Sequence, residues 1–143
     1  MNIRRLFSFS KKTKIFNLYG KALETKSNEI LLKALHYSFN EEIDSDYINY
    51  FNRLLPEKWH DEHEEIINLI WLNNLNDDAF SEILYSIAIH PEIYRKYDDE
   101  NESTLRKCIH VFKIINSEKS NMYIEKLKMT NNPNVYFALE NYN

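Results

Sequence analysis

Glycine occurs once in these 143 residues, at Gly20, and proline only three times. Tight turns of an all-β fold draw on both, so the shortage alone favours helices. It also excludes a glycine-rich phosphate-binding loop. Cysteine too occurs once, so no internal disulfide can form. Cys108 lies inside an apolar helical pattern and reads as a small buried thiol. His110, two positions on, faces elsewhere on a helix and cannot act as its base. No apolar run approaches the ~20 residues that span a bilayer. Lys11, Lys12 and Lys14 interrupt the N-terminal apolar residues before a signal-peptide core of ~7–15 residues builds up. Ile3, Leu6, Phe7 and Phe9 could touch a membrane as a weak amphipathic segment, but a docked or frayed terminus is preferred. The cytoplasm is the expected compartment.

What is present argues for one folded domain. The chain is 43% hydrophobic, with ten Tyr and eight Phe, which opposes disorder, and its length suffices for a useful core. The net charge of −4 conceals a division. Residues 1–26 hold seven Lys and Arg against Glu24, a net of +6, and the remainder carries −10. All of that −10 sits within residues 57–102, where thirteen acids stand against Lys58, Arg95 and Lys96. Such a surface repels nucleic acid and attracts cationic partners, or serves only to keep the protein in solution.

Apolar residues recur at the helical period in successive stripes, and each stripe requires a neighbour to cover it. After a basic segment over 1–22, a single α-helical domain is expected over 23–143. Helices are predicted over Glu24–Phe39 (Ile30, Leu31, Ala34, Leu35, Phe39) and from about Asp46 to Leu55, where Pro56 prevents continuation. A central pair occupies Trp59 to Ala88. Asp61 and Glu64 stand at capping-box spacing before Ile66, Ile67, Leu69 and Ile70, and Phe80, Ile83, Leu84, Ile87 and Ala88 form the second stripe. A loop rich in tyrosine and acid leads to a helix with Leu105, Cys108, Ile109, Phe112 and Ile115, capped by Ser103 or a neighbour. Asn116-Ser117 turns into a helix with Tyr123, Ile124 and Leu127. Asn132-Pro133 signals a last helix with Val135, Ala138, Leu139 and Tyr142. Residues 1–20 are expected to be dispensable for cooperative unfolding of the rest.

A shift of about 40 residues lays Leu75-Asn76-Asp77 on Ile115-Asn116-Ser117, and Leu84 and Ile87 on Ile124 and Leu127, within the helix-pair period of ~40–47 residues. The expected fold is all-α, a HEAT-like α-α superhelix of stacked antiparallel pairs, with an up-down helical bundle as the alternative. Several motifs bear on this: W-H-x-x-H-E-E-I at Trp59–Ile66, Leu84-Tyr85, Y-x-x-Y-D-D at Tyr94–Asp99, L-x-K-C-I at Leu105–Ile109, and N-P-x-V-x-x-A at Asn132–Ala138. Their order and spacing resemble small bacterial HEAT-repeat (armadillo-type) proteins over roughly residues 53–142. The chain departs from that pattern in lacking a Pro or Arg after the Asp of the inter-helix turn. The resemblance implies a non-enzymatic protein, and it extends to members that act as immunity proteins against bacterial toxins.

No catalytic constellation emerges. His60 and His63 approach a metal-ligand spacing, but HExxH is absent and zinc needs three or four ligands, so a structural role is preferred and no metal or cofactor is implied. Asp98, Asp99, Glu100 and Glu102 lack the spacing of a calcium loop. The expected partner surface comprises Glu62, Glu65, Tyr94, Tyr97, Asp98, Asp99, Glu100 and Glu102. Here tyrosines would supply anchors and carboxylates would complement a basic protein. The expected function is a protein-binding module, most specifically an immunity protein neutralising a cognate basic toxin. The alternatives are a scaffold holding a peptide on its concave face and, remotely, a metal-dependent enzyme.

Overall fold

The computed structural model describes residues 3–142, with the side chains of 10–140 and 142. The side chains of Ile3, Leu6, Phe7 and Phe9, and with them the membrane-contact reading, lie outside the described residues. The described chain is all-α. Its helices are α1 (Ile3–Thr25), α2 (Asn28–Ser38), α3 (Ile48–Leu54), α4 (His63–Leu72), α5 (Ser81–Ile89), α6 (Pro91–Tyr94), α7 (Ser103–Ile115), α8 (Glu118–Lys128) and α9 (Pro133–Leu139), with short 3₁₀ turns before α3 and α5 and after α9. Among the described residues, no helix is long and apolar enough to cross a membrane.

With glycine so scarce, asparagine takes over the left-handed positions that end helices. Asn74, Asn116 and Asn131 adopt φ of 53°, 49° and 58° after α4, α7 and α8, where the short amide side chain tolerates αL. Helix starts are capped by side chains: Ser27 accepts from Ile30 N, Asp77 from Ala79 N, Ser117 from Ser120 N in a full capping box, and Asn132 from Asn134 N ahead of Pro133.

The order of packing differs from what the sequence suggests. α7, not the central pair, is the hub: it packs against α4, α5, α8 and α9 and buries Leu105, Cys108, Ile109, Val111 and Phe112. α4, α7 and α9 pack in succession, and α5 touches α8 alongside them. Contacts between these rows join positions at a near-constant offset. The Trp71 ring stacks on His110 (4.6 Å), the Ser117 hydroxyl donates to Asp78 Oδ1 (2.6 Å), and Tyr85 stacks on Tyr123 (4.4 Å).

At the N-terminal end, α1 runs through the expected boundary at residue 22 and packs against α2 and α3. It contributes Ile15, Tyr19 and Ala22 to the core. The break expected before Glu24 falls instead at Lys26, whose φ of 53° reverses the chain into the Ser27 cap. The α1 side chain of Lys12 reaches Asp44 (2.7 Å) and Asp46, fastening this helix to the turn before α3.

Candidate protein-binding surface

The start of α4 does not form the expected capping box. Glu62 is the N-cap residue and makes no side-chain cap bond. Instead Glu62 N donates to His60 Nδ1 (3.0 Å), which leaves His60 Nε2 carrying the proton, to donate to Leu54 O (2.8 Å). His63 Nε2 donates to Glu57 O (2.9 Å). The two imidazoles stack at 4.3 Å, and the edge of Tyr94 closes over His63 at 5.1 Å. Both rings are buried, and they tie the segment after α3 to the first turn of α4. His60 has both nitrogens committed to backbone groups, which is the structural role expected of it. Among the described residues, no group of three or more His, Cys, Asp or Glu is placed to hold a metal ion.

Burial, reinforced by His60 beside it, pushes the His63 imidazolium down to about 4, and burial lowers His60 as well. Because the folded values lie below the ordinary 6.5, this stability is complete above pH 6.5. It is lost as pH falls toward 4, because the unfolded chain takes up protons that the folded chain refuses. His110, also lowered by burial, adds in the same direction. The carboxylates held low (Asp44, Glu64, Asp78 and Glu102) contribute their losses mainly below the ordinary carboxylate range. Acidification from pH 6.5 to about 4.5 is therefore expected to destabilise the protein by on the order of 2–3 kcal/mol. His63→Gln should flatten that slope in thermal melts recorded across the range. A parent melting temperature that stays level over the same interval would contradict the reading.

The eight expected contact residues divide by location. Three are engaged inside the fold. Arg95, itself 6% exposed, donates from Nη2 to Ala88 O (2.8 Å) and from Nε to Ile87 O (3.3 Å), which it shares with His90 N (3.4 Å), at the end of α5. Its Nη1 meets Asp98 (3.2 Å) and Glu102 (3.3 Å). Asp98 also accepts from Thr104 N (3.2 Å) and Thr104 Oγ1 (2.6 Å), so the cap of α7 comes from six residues upstream rather than from Ser103. Glu102 accepts from Asn132 (2.8 Å) and Asn134 (2.7 Å), joining the loop to α9. With its carboxylate 6% exposed, Asp98 has nothing left for a partner, and Glu102 is mostly consumed in the same network. The expectation that both face outward is corrected here. Tyr94 is the third: half-buried, its hydroxyl donates to Pro56 O (3.3 Å).

The other five have no ion-pair partner among the described residues, although Glu62 and Glu65 are half-buried and the Asn28 side chain hydrogen-bonds Glu62. Tyr97 is 75% exposed, with Lys96 Nζ 5.4 Å from its ring centre. Asp99 and Glu100 are exposed beside it, the Asp99 side chain accepting from Asn101 N. Glu62 and Glu65 lie apart from that loop, on the side of α4 that faces α2. Burial together with the carboxylates of Glu65 and Asp61 holds the Glu62 carboxyl above its ordinary range. Neighbouring acids are neutralised: Glu64 by Lys107 (3.0 Å) and Asp61 by Lys96 (3.3 Å). Sequence reasoning missed Arg95, although its place at the end of an apolar stripe, amid acids, was a signal.

Cys108 offers no chemistry, since complete burial pushes its thiol up to about 12. No family model, curated protein or solved structure matches this chain.

Proposed function

We propose that this protein binds a basic protein partner through those acids of residues 57–102 that the fold leaves without a cation. The observation that carries the reading is the division among those acids. Asp61, Glu64, Asp98 and Glu102 are paired within the fold, whereas Glu62, Glu65, Asp99 and Glu100 have no ion-pair partner among the described residues. Unpaired like charges raise the free energy of the isolated protein slightly and draw in a cationic surface from a distance. Tyr97 supplies a large amphipathic side chain at the edge of that field, of a kind that anchors interfaces well.

The most specific form of the proposal is an immunity protein that covers a basic toxin; its warrant is the motif resemblance together with the charge. The repeated offset near 39 residues between α4–α5 and α7–α8 supports stacked helix pairs of HEAT type. Asp99→Lys with Glu100→Lys should slow association with the partner by about tenfold or more at low salt and leave helical content unchanged. Tyr97→Ala should act on dissociation, at a cost of ~2 kcal/mol if it is an anchor. Stopped-flow association and dissociation rates separate the two effects. Unchanged association for the charge-reversed form would reduce these acids to a device for solubility.

A further inference from the structure

Helix α2 buries Leu31, Ala34, Leu35 and Ser38, and leaves Leu32 (46% exposed), His36 and Phe39 (49% exposed) on its outer side. These three stand at i, i+4 and i+7, a single stripe along the helix. The stripe floors an open groove whose other wall is the start of α4, with Glu62 and Glu65 on the rim. An exposed leucine or phenylalanine alone is ordinary. Here, however, an apolar stripe adjoins two carboxylates that repel one another and find no cation among the described residues.

The chemistry of the rim restricts what can sit there. A neutral apolar occupant would strip water from Glu62 and Glu65 without giving either a cation, leaving Glu62 only its hydrogen bond with Asn28, which is unfavourable. A soluble cation without apolar surface would leave Leu32 and Phe39 wet. An occupant with an apolar stripe flanked by lysine or arginine satisfies both, because long basic side chains cover apolar surface while carrying their charge to the edge. The geometry points to the α2–α4 groove as the docking site for a basic amphipathic helix of the partner protein, its apolar face on Leu32 and Phe39 and its cations on Glu62 and Glu65. This rests on the reading that the chain binds a basic protein, and it says where the partner's helix sits.

The test is an NMR titration of the full chain with a synthetic peptide of leucine and lysine arranged to form one apolar and one basic helical face. A peptide of the same composition in scrambled order is the control. Saturable shifts centred on Leu32, His36, Phe39, Glu62 and Glu65, with the scrambled peptide bound at least about tenfold more weakly, are expected. Leu32→Ser with Phe39→Ser, and separately Glu62→Gln with Glu65→Gln, should each weaken binding by about tenfold or more. All four side chains are at least partly exposed, so thermal melts should show these variants folded. Equal binding of the scrambled peptide, or no binding of either, would overturn the assignment. So would shifts centred on Tyr97–Glu100, though they would leave the protein-binding reading standing. If the groove variants bind the natural partner with undiminished affinity while Asp99→Lys with Glu100→Lys weakens it, the groove is excluded and the acidic loop retained. If neither pair of changes affects the partner, both readings fail. Concentration-dependent dimerisation abolished by Phe39→Ser would give the groove to a second copy of this chain, and also overturn the assignment.

Discussion

Replacing Arg95 by alanine is expected to destabilise the protein by on the order of 3–5 kcal/mol, enough to unfold a domain of ordinary stability at elevated temperature. The size follows from what is left behind. The Ala88 carbonyl loses its Arg95 donor, the Ile87 carbonyl keeps only the long bond from His90 N (3.4 Å), and Asp98, 6% exposed, is stranded as a buried carboxylate. Asp98 still has Thr104, but a hydrogen bond does not replace a cation in so dry a place. Charge reversal at Asp98 or Glu102 should accordingly unfold or loosen the protein, and would confuse any measurement of association. Urea denaturation checks this, and a double-mutant cycle between Arg95→Ala and Asp98→Ala should show strong coupling. A loss below about 1 kcal/mol for Arg95→Ala, the range of exposed ion pairs, would mean that the network is not sealed from water.

Tyr19→Ala is expected to cost a further 3–5 kcal/mol, the range for large aromatic side chains removed from cores. Tyr19 has no exposed surface, and its ring meets Phe51 edge-on at 5.8 Å and stacks with Tyr50 at 5.9 Å. Its hydroxyl lies 2.6 Å from Ser38 Oγ, which in turn donates to Ala34 O (2.8 Å). Tyr19→Phe keeps the packing and should cost only about 1 kcal/mol. By the same packing, removing residues 1–22 should abolish the cooperative transition of α2 and α3, against the expectation from sequence that the first twenty residues are dispensable. Cooperative unfolding retained after that deletion, or a marginal effect of Tyr19→Ala, would show α1 to be an accessory.

Local chemistry was the legible part of this sequence. Asn132-Pro133 and Asn116-Ser117 announce helix ends and starts because the groups that satisfy them lie within three residues. The stripe of Leu105, Cys108, Ile109 and Phe112 announces a buried face because helical periodicity needs no tertiary knowledge. The N-terminal helix was hidden for the opposite reason. Ile15, Tyr19 and Ala22 are a good stripe, but Lys11, Lys12, Lys14 and Lys21 around them dominate the composition, and nothing local shows that Lys12 is neutralised by Asp44 and Asp46 over thirty residues on. The acidic stretch hid its division in the same way. Asp98 and Asp99 are adjacent and chemically identical, yet one turns in to Arg95 and the other out to water. That choice is made by the end of α5 and by Thr104, not by the tripeptide around them. The cap of α4 was misassigned because Asp61 and Glu64 fit the spacing, while the burial of His60 that supplied the alternative is a tertiary fact.

The claim at the centre of this account is that the unpaired acids form a recognition surface for a basic protein. Its most direct test is the salt dependence of the association rate constant with the protein that co-purifies from native lysate, for the parent and for Asp99→Lys with Glu100→Lys. The expected result is a basic partner whose association with the parent slows steeply as the Debye length shrinks from ~30 Å at 0.01 M to ~8 Å at 0.15 M ionic strength, converging on the slower, less salt-sensitive reversed form. Rates for the parent that do not change with salt, or that equal those of the reversed form throughout, would contradict it.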